Sequence, residues 1–109
     1  MSADDEFERI AAELANAGVV AGAMFGKRAL KSGARAFVCL KGDMLAVKLG
    51  AGTSAHEEAL DLDGAELFDP SGSGRPFKDW VALPFAQCRV WPDYARRGLA
   101  LVSRAPTTD

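Results

Sequence analysis

One histidine, two cysteines, an acidic cluster and a serine-glycine loop are the places where this chain's residue types and spacing could support chemistry. His56 has Ser54 and Glu57 beside it, the residue types of a hydrolytic triad, but their spacing is that of a helix start and does not converge on one ring. Ser54 and Glu57 read as a capping box, and His56 as a surface histidine. The loop Ser71-Gly72-Ser73-Gly74-Arg75 offers backbone amides to an anion. It lacks the Gly-Lys-Ser/Thr ending of a phosphate loop and runs into Pro76 and a strand instead of a helix. Asp61, Asp63, Glu66 and Asp69 lack the glycine and terminal glutamate of a calcium loop and read as solvated surface. Cys39 and Cys88 form no CxxC pair and have no companion histidine, which excludes the common zinc and thioredoxin spacings. Cys39, inside Ala36-Phe37-Val38-Cys39-Leu40, reads as a buried thiol, and no structural disulfide is expected. Met24, Phe25, Trp80 and Trp91 could line an apolar recognition pocket, although large residues in so small a chain usually build its core. Nothing pairs a nucleophile with a base, so no catalytic residue, cofactor or metal is expected.

The elements that would position these residues follow from periodicity. Phe7, Ile10, Ala11 and Leu14 recur at helical spacing over Ser2–Ala17, with Glu6, Arg9, Glu13 and Asn16 on other faces, a Ser2/Asp5 capping box and Gly18 as the stop. Three strands are predicted next, Ala29–Lys31, Arg35–Lys41 and Met44–Leu49, separated by glycine-bearing turns. Leu45, Val47 and Leu49 alternate with Met44, Ala46 and Lys48, the pattern of a strand with one face on the core; the middle strand is apolar on both faces. A short helix opens near Ser54 and ends near Leu62–Gly64, strands Ala65–Phe68 and Phe77–Leu83 flank the glycine loop, and a last helix starts at Pro92. That helix places Trp91, Ala95, Leu99 and Val102 on one stripe opposite Asp93, Arg97 and Arg104, and the tail Ala105–Asp109 should fray. The expected fold is α+β: an N-terminal helix, an antiparallel sheet of about five strands interrupted by a short helix, and a C-terminal helix.

With 109 residues, of which 49% are hydrophobic and 26% charged, the chain suits one domain with its own core (residues 1–109) and excludes fibrous and wholly disordered classes. No apolar run reaches the roughly 18 residues of a membrane span, and the start is acidic, so a cytoplasmic chain without a signal peptide or membrane contact is expected. The net charge of −2 hides alternating blocks. Asp4, Asp5, Glu6, Glu8 and Glu13 face one base, Arg9, while Lys27, Arg28, Lys31, Arg35, Lys41 and Lys48 face one acid, Asp43. Glu57, Glu58, Asp61, Asp63, Glu66 and Asp69 have no base among them. Arg75, Lys78, Arg89, Arg96, Arg97 and Arg104 face Asp79 and Asp93. If the two basic bands, 27–48 and 75–104, met on one face, they would attract a polyanion. The acidic band and the absence of a recognition helix limit that to weak, non-specific nucleic-acid binding.

Taken in order, Met24-Phe25-Gly26, the hairpin Arg35–Leu49 ending in Val47-Lys48-Leu49, Leu67-Phe68 before the glycine loop, Arg75-Pro76-Phe77-Lys78-Asp79-Trp80 and the Trp91-Pro92 helix resemble the TfoX N-terminal domain family over roughly Val20–Val102. Lys27, Arg28 and Leu30 stand where that family commonly continues with a glycine and an aromatic. The resemblance implies a small cytoplasmic α+β domain with no established enzymatic activity, in a family named for regulators of bacterial competence, and a looser likeness to YjbR-like and secretion-chaperone-like folds adds further binding roles. The expected function is thus a regulatory or protein-binding module whose partner is an unidentified protein. The alternative is a direct nucleic-acid binder. Lys27, Arg28, Lys31, Arg35, Arg96 and Arg97 form the candidate interaction surface. A homodimer is also expected, on the argument that the strand at Trp80–Leu83 is apolar enough to need a cover while Ala29–Lys31 is a charged, protected edge.

Overall fold

In the computed structural model, which describes residues 2–103, helix α1 (Ala3–Leu14) leads through one 3₁₀ turn (Ala15–Ala17) into a four-strand meander: β1 (Val19–Met24), β2 (Lys27–Ser32), β3 (Arg35–Lys41) and β4 (Met44–Lys48). Helix α2 (Ser54–Leu60), β5 (Glu66–Phe68), β6 (Phe77–Pro84), a 3₁₀ segment (Phe85–Val90) and helix α3 (Trp91–Ser103) complete the chain. The sheet is antiparallel with order β1-β2-β3-β4-β6-β5. The α+β architecture is the expected one, with six strands in place of about five. Arg104 and the tail Ala105–Asp109 lie outside the described residues.

Helix α1 forms as its spacing predicts. The Ser2 side chain accepts the Asp5 N–H at 3.2 Å, and Phe7, Ile10 and Leu14 are buried. Glu6, expected on an outer face, is buried as well, with Arg9 at 3.4 Å. Gly18 ends the segment with φ +83°, a conformation that costs glycine little. Helix α3 starts at Trp91, one residue before Pro92, and buries Tyr94 and Gly98 along with Trp91, Ala95 and Val102. These helices close one sheet face over Leu30, Leu45, Val47, Val81 and Leu83. A bulge lets β3 send two consecutive residues, Phe37 and Val38, into that same cluster: Val38 lies opposite Leu30 and Ala36 opposite Lys31, with Phe37 the extra residue between them. The second face carries a smaller cluster, Cys39, Ala46, Phe68, Trp80 and Ala82, so the doubly apolar middle strand is covered on both sides.

The edge assignment made from sequence is wrong. β2, which contains Ala29–Lys31, is an interior strand between β1 and β3. β6, which contains Trp80–Leu83, is covered by β4 on one side and β5 on the other. The exposed edges belong to β1 and β5, and β1 was absent from the expected strands. The homodimer argument based on Trp80–Leu83 therefore loses its premise.

Candidate interaction surface

His56 is not a surface residue. It is 6% exposed, and its Nε2–H donates to the Lys78 carbonyl oxygen at 2.7 Å, tying α2 to β6. A carbonyl only accepts, so the ring is held in the Nε2–H tautomer by that bond. The helix is capped by Thr53, whose hydroxyl oxygen accepts the His56 N–H at 3.1 Å, and not by Ser54. The signal for burial was present in the stripe His56, Ala59 and Leu60, three and four residues apart on one helix face. His56→Ala is accordingly expected to cost about 1–3 kcal/mol, from the lost ring packing and the Lys78 carbonyl left without its donor. Urea unfolding with a change below about 0.5 kcal/mol would contradict this interhelix-to-sheet tie.

The glycine loop is also occupied by its own chain. The Asp69 carboxylate accepts the N–H of Gly72 at 3.0 Å and that of Gly74 at 2.8 Å. The Gly74 bond in particular holds the Asp69 carboxyl below its ordinary carboxylate value. An external anion would have to displace this internal one. Asp61, Asp63 and Glu66 join no such cluster, and among the described residues no three metal-ligating side chains come together. Cys39 and Cys88 are free thiols; burial pushes the Cys39 thiol upward in pKa, away from nucleophilic reactivity.

The six candidate basic residues do not form one surface. Arg28 reaches the helix side, where it pairs with Asp4 at 3.3 Å and with Glu8 and lies 4.6 Å from the centre of the Phe7 ring. Arg96 pairs with Glu13, and Arg97 with Glu58 at 3.0 Å and Asp93 at 3.2 Å. Exposed pairs of this kind add little stability, but they neutralise the three arginines that a polyanion would need. Lys27 and Lys31 alternate with Arg28 and Leu30 along β2 and so lie on the opposite sheet face, while Arg35 stands exposed at the start of β3. Lys48 shares the face of Ala46, and Lys41 donates to the Asp69 carbonyl at 2.8 Å. This face holds a groove of about 650 Å³ in which Lys27 and Lys41 meet Asp43, Glu66 and Asp69.

The proposed aromatic pocket is likewise divided. Trp91 belongs to the helix-side core, with its ring 5.8 Å from Phe85. Trp80 and Met24 pack on the other face. Phe25 stays 55% exposed, its ring 5.5 Å from that of Phe77. Phe25 and Gly26 have φ +55° and +72°, the signs of a type I′ turn that closes β1 and β2 into a tight hairpin. The resulting edge is the surface that sequence reasoning missed. Val19–Met24 carries no charged residue and no proline, pairs without interruption with β2 alone, and exposes Val20, Ala21, Gly22 and Ala23. The other edge, β5, is three residues long and begins with Glu66, a short and charged edge of the protected kind. Among the described residues no helix is long and apolar enough to cross a membrane. Compared with known proteins, the chain matches no family model, no curated protein and no solved structure.

Proposed function

We propose that this protein is a regulatory or protein-binding module without catalytic activity, a cytoplasmic bacterial domain of the TfoX N-terminal type, and that it engages other chains through the β1 edge. The order of motifs from Met24-Phe25-Gly26 to Trp91-Pro92 supports the family reading. The observation that carries the binding reading is the unguarded edge itself: a row of unpaired backbone groups on an uncharged six-residue strand is a template for another strand. A direct nucleic-acid role draws on Lys27, Lys31, Lys41 and Lys48, which share one sheet face. The acids that line the groove with Lys27 and Lys41 repel phosphate, so this role is weak and confined to low salt.

Capture from native lysate by the wild type and by Ala23→Pro, with proteins and nucleic acids analysed separately, tests the two readings together. Proline at an edge position removes an outward N–H and leaves the ladder on the other side intact. Capture of protein, the chain's own copies included, is expected from the wild type and is lost in Ala23→Pro. Protein capture that ignores the substitution would overturn the edge reading, and nucleic acid retained at about 200 mM salt would favour the alternative.

A further inference from the structure

Among the described residues the two exposed large hydrophobic side chains, Val20 at 58% and Phe25 at 55%, both sit at β1 or its turn. The backbone there has a defined polarity. In an antiparallel hairpin, hydrogen-bonded and non-hydrogen-bonded pairs alternate, and a two-residue turn is flanked by a hydrogen-bonded pair, here Met24 and Lys27. Counting back along the strand, Gly22 and Val20 also direct their N–H and C=O towards β2, and Ala23 and Ala21 direct theirs outward. Around Gly22 the sequence Val20-Ala21-Gly22-Ala23-Met24 is close to a palindrome, alanine against alanine and one apolar residue against another.

We propose that β1 pairs antiparallel with β1 of a second copy of this chain, about a twofold axis through Gly22. The proposal rests on the edge reading above and names its occupant. A twofold axis places each residue beside the one equally far from Gly22 on the other side. Ala21 then faces Ala23 of the partner subunit, and these are the residues whose peptide groups point outward, so four N–H···O bonds close in register. Val20 falls beside Met24 of the partner subunit, which covers the exposed valine. Gly22 meets its own copy in a non-hydrogen-bonded pair, the closest approach in an antiparallel ladder at about 4.5 Å between Cα atoms. The near-symmetry favours a second copy, because under the twofold small residue meets small residue and apolar meets apolar, with Val20 beside Met24 of the partner subunit. No charge, proline or bulge in Val19–Met24 opposes the pairing. The product is a continuous twelve-stranded sheet with both helix layers on the same side.

Sedimentation equilibrium of the full chain over low to high micromolar concentration is expected to show a mass rising towards twice the 11.5 kDa of one chain, while Ala23→Pro stays at the single mass with its melting temperature kept. In a Cys88→Ser background, Gly22→Cys is expected to form an intermolecular disulfide under oxidised glutathione, since the added Cβ meets only the Lys31 stem at 3.5 Å and its copy lies within bridging distance. Val20→Cys, four residues out of register with itself, is expected not to cross-link. A wild type that is monomeric throughout, a dimer that survives Ala23→Pro, or cross-linking through Val20→Cys in preference to Gly22→Cys would each overturn the proposal. A monomer that still captures a different protein in an Ala23-dependent way would overturn self-pairing while the edge reading stands. Loss of both would remove both.

Discussion

Val47→Asp is expected to leave no cooperatively folding protein. Val47 is completely buried at the middle of β4, between Val38 of β3 and Val81 of β6, and lies under the point where α3 crosses the sheet at Gly98. A carboxylate there has no basic partner in a cluster composed of Leu30, Phe37, Leu45, Val81, Leu83 and Trp91. Burying an unpaired charge costs several kcal/mol even after the group neutralises itself by binding a proton, and the valine packing is lost in addition. A domain of this size has a total stability of roughly 5–10 kcal/mol, so the substitution consumes most or all of it. Lys48→Asp, one residue on and on the other face, is the matched control and is expected to fold. Circular dichroism melts compare the two, and a soluble Val47→Asp protein with an unchanged melting temperature would mean that the β4 register is wrong.

What made β4 legible was strict alternation, Leu45, Val47 and Leu49 against Met44, Ala46 and Lys48, because a strand with its large apolar residues on one face writes its two faces into the sequence even though Ala46 on the other face is buried too. β1 was missed for the converse reason. Val-Val-Ala-Gly-Ala-Met has low strand propensity and no alternation, since most of it faces solvent, and its turn is Phe25-Gly26 instead of the Asn-Gly or Asp-Gly that announces a tight hairpin. The insertion of β6 between β4 and β5 left no local trace, and with it went the expected edge at Trp80–Leu83. Charge blocks could be counted, but their destinations are set by tertiary contact: Arg96 ends beside Glu13, 83 residues earlier in the chain, and Arg28 beside Asp4 and Glu8. Whether the two basic bands meet on one face could therefore not be read from the sequence, and half of the six candidate residues are paired on the helix side. The burial of His56 was legible in its stripe with Ala59 and Leu60, but its bond was not, because the acceptor is the Lys78 carbonyl, a backbone atom that no residue type reports.

Gly98 was not singled out by the sequence, yet replacing it with alanine is expected to destabilise the protein, against the rule for helix interiors. In an exposed helix, glycine to alanine gains about 1 kcal/mol from reduced backbone freedom. Here a Cβ would lie 2.7 Å from Val47 Cγ1, 3.1 Å from the Lys48 carbonyl oxygen and 3.4 Å from the Phe37 ring. Val47 is completely buried and, being β-branched, stiff at χ1, and the Lys48 carbonyl belongs to a strand held between β3 and β6. Relief requires α3 to lift from the sheet, and overpacking of this kind costs about 1–3 kcal/mol, enough to reverse the sign of the propensity gain. Because the closest contact is with one methyl group of Val47, the two positions should be coupled. Val47→Ala alone opens a small cavity and is expected to lose about 1–3 kcal/mol. The double variant Gly98→Ala/Val47→Ala is expected to lose less than the two single losses together, since the new methyl fills the space that the valine vacates. Denaturant unfolding of the four proteins measures the coupling, and a Gly98→Ala protein more stable than the wild type, or strictly additive losses, would show that α3 does not cross β4 at this residue.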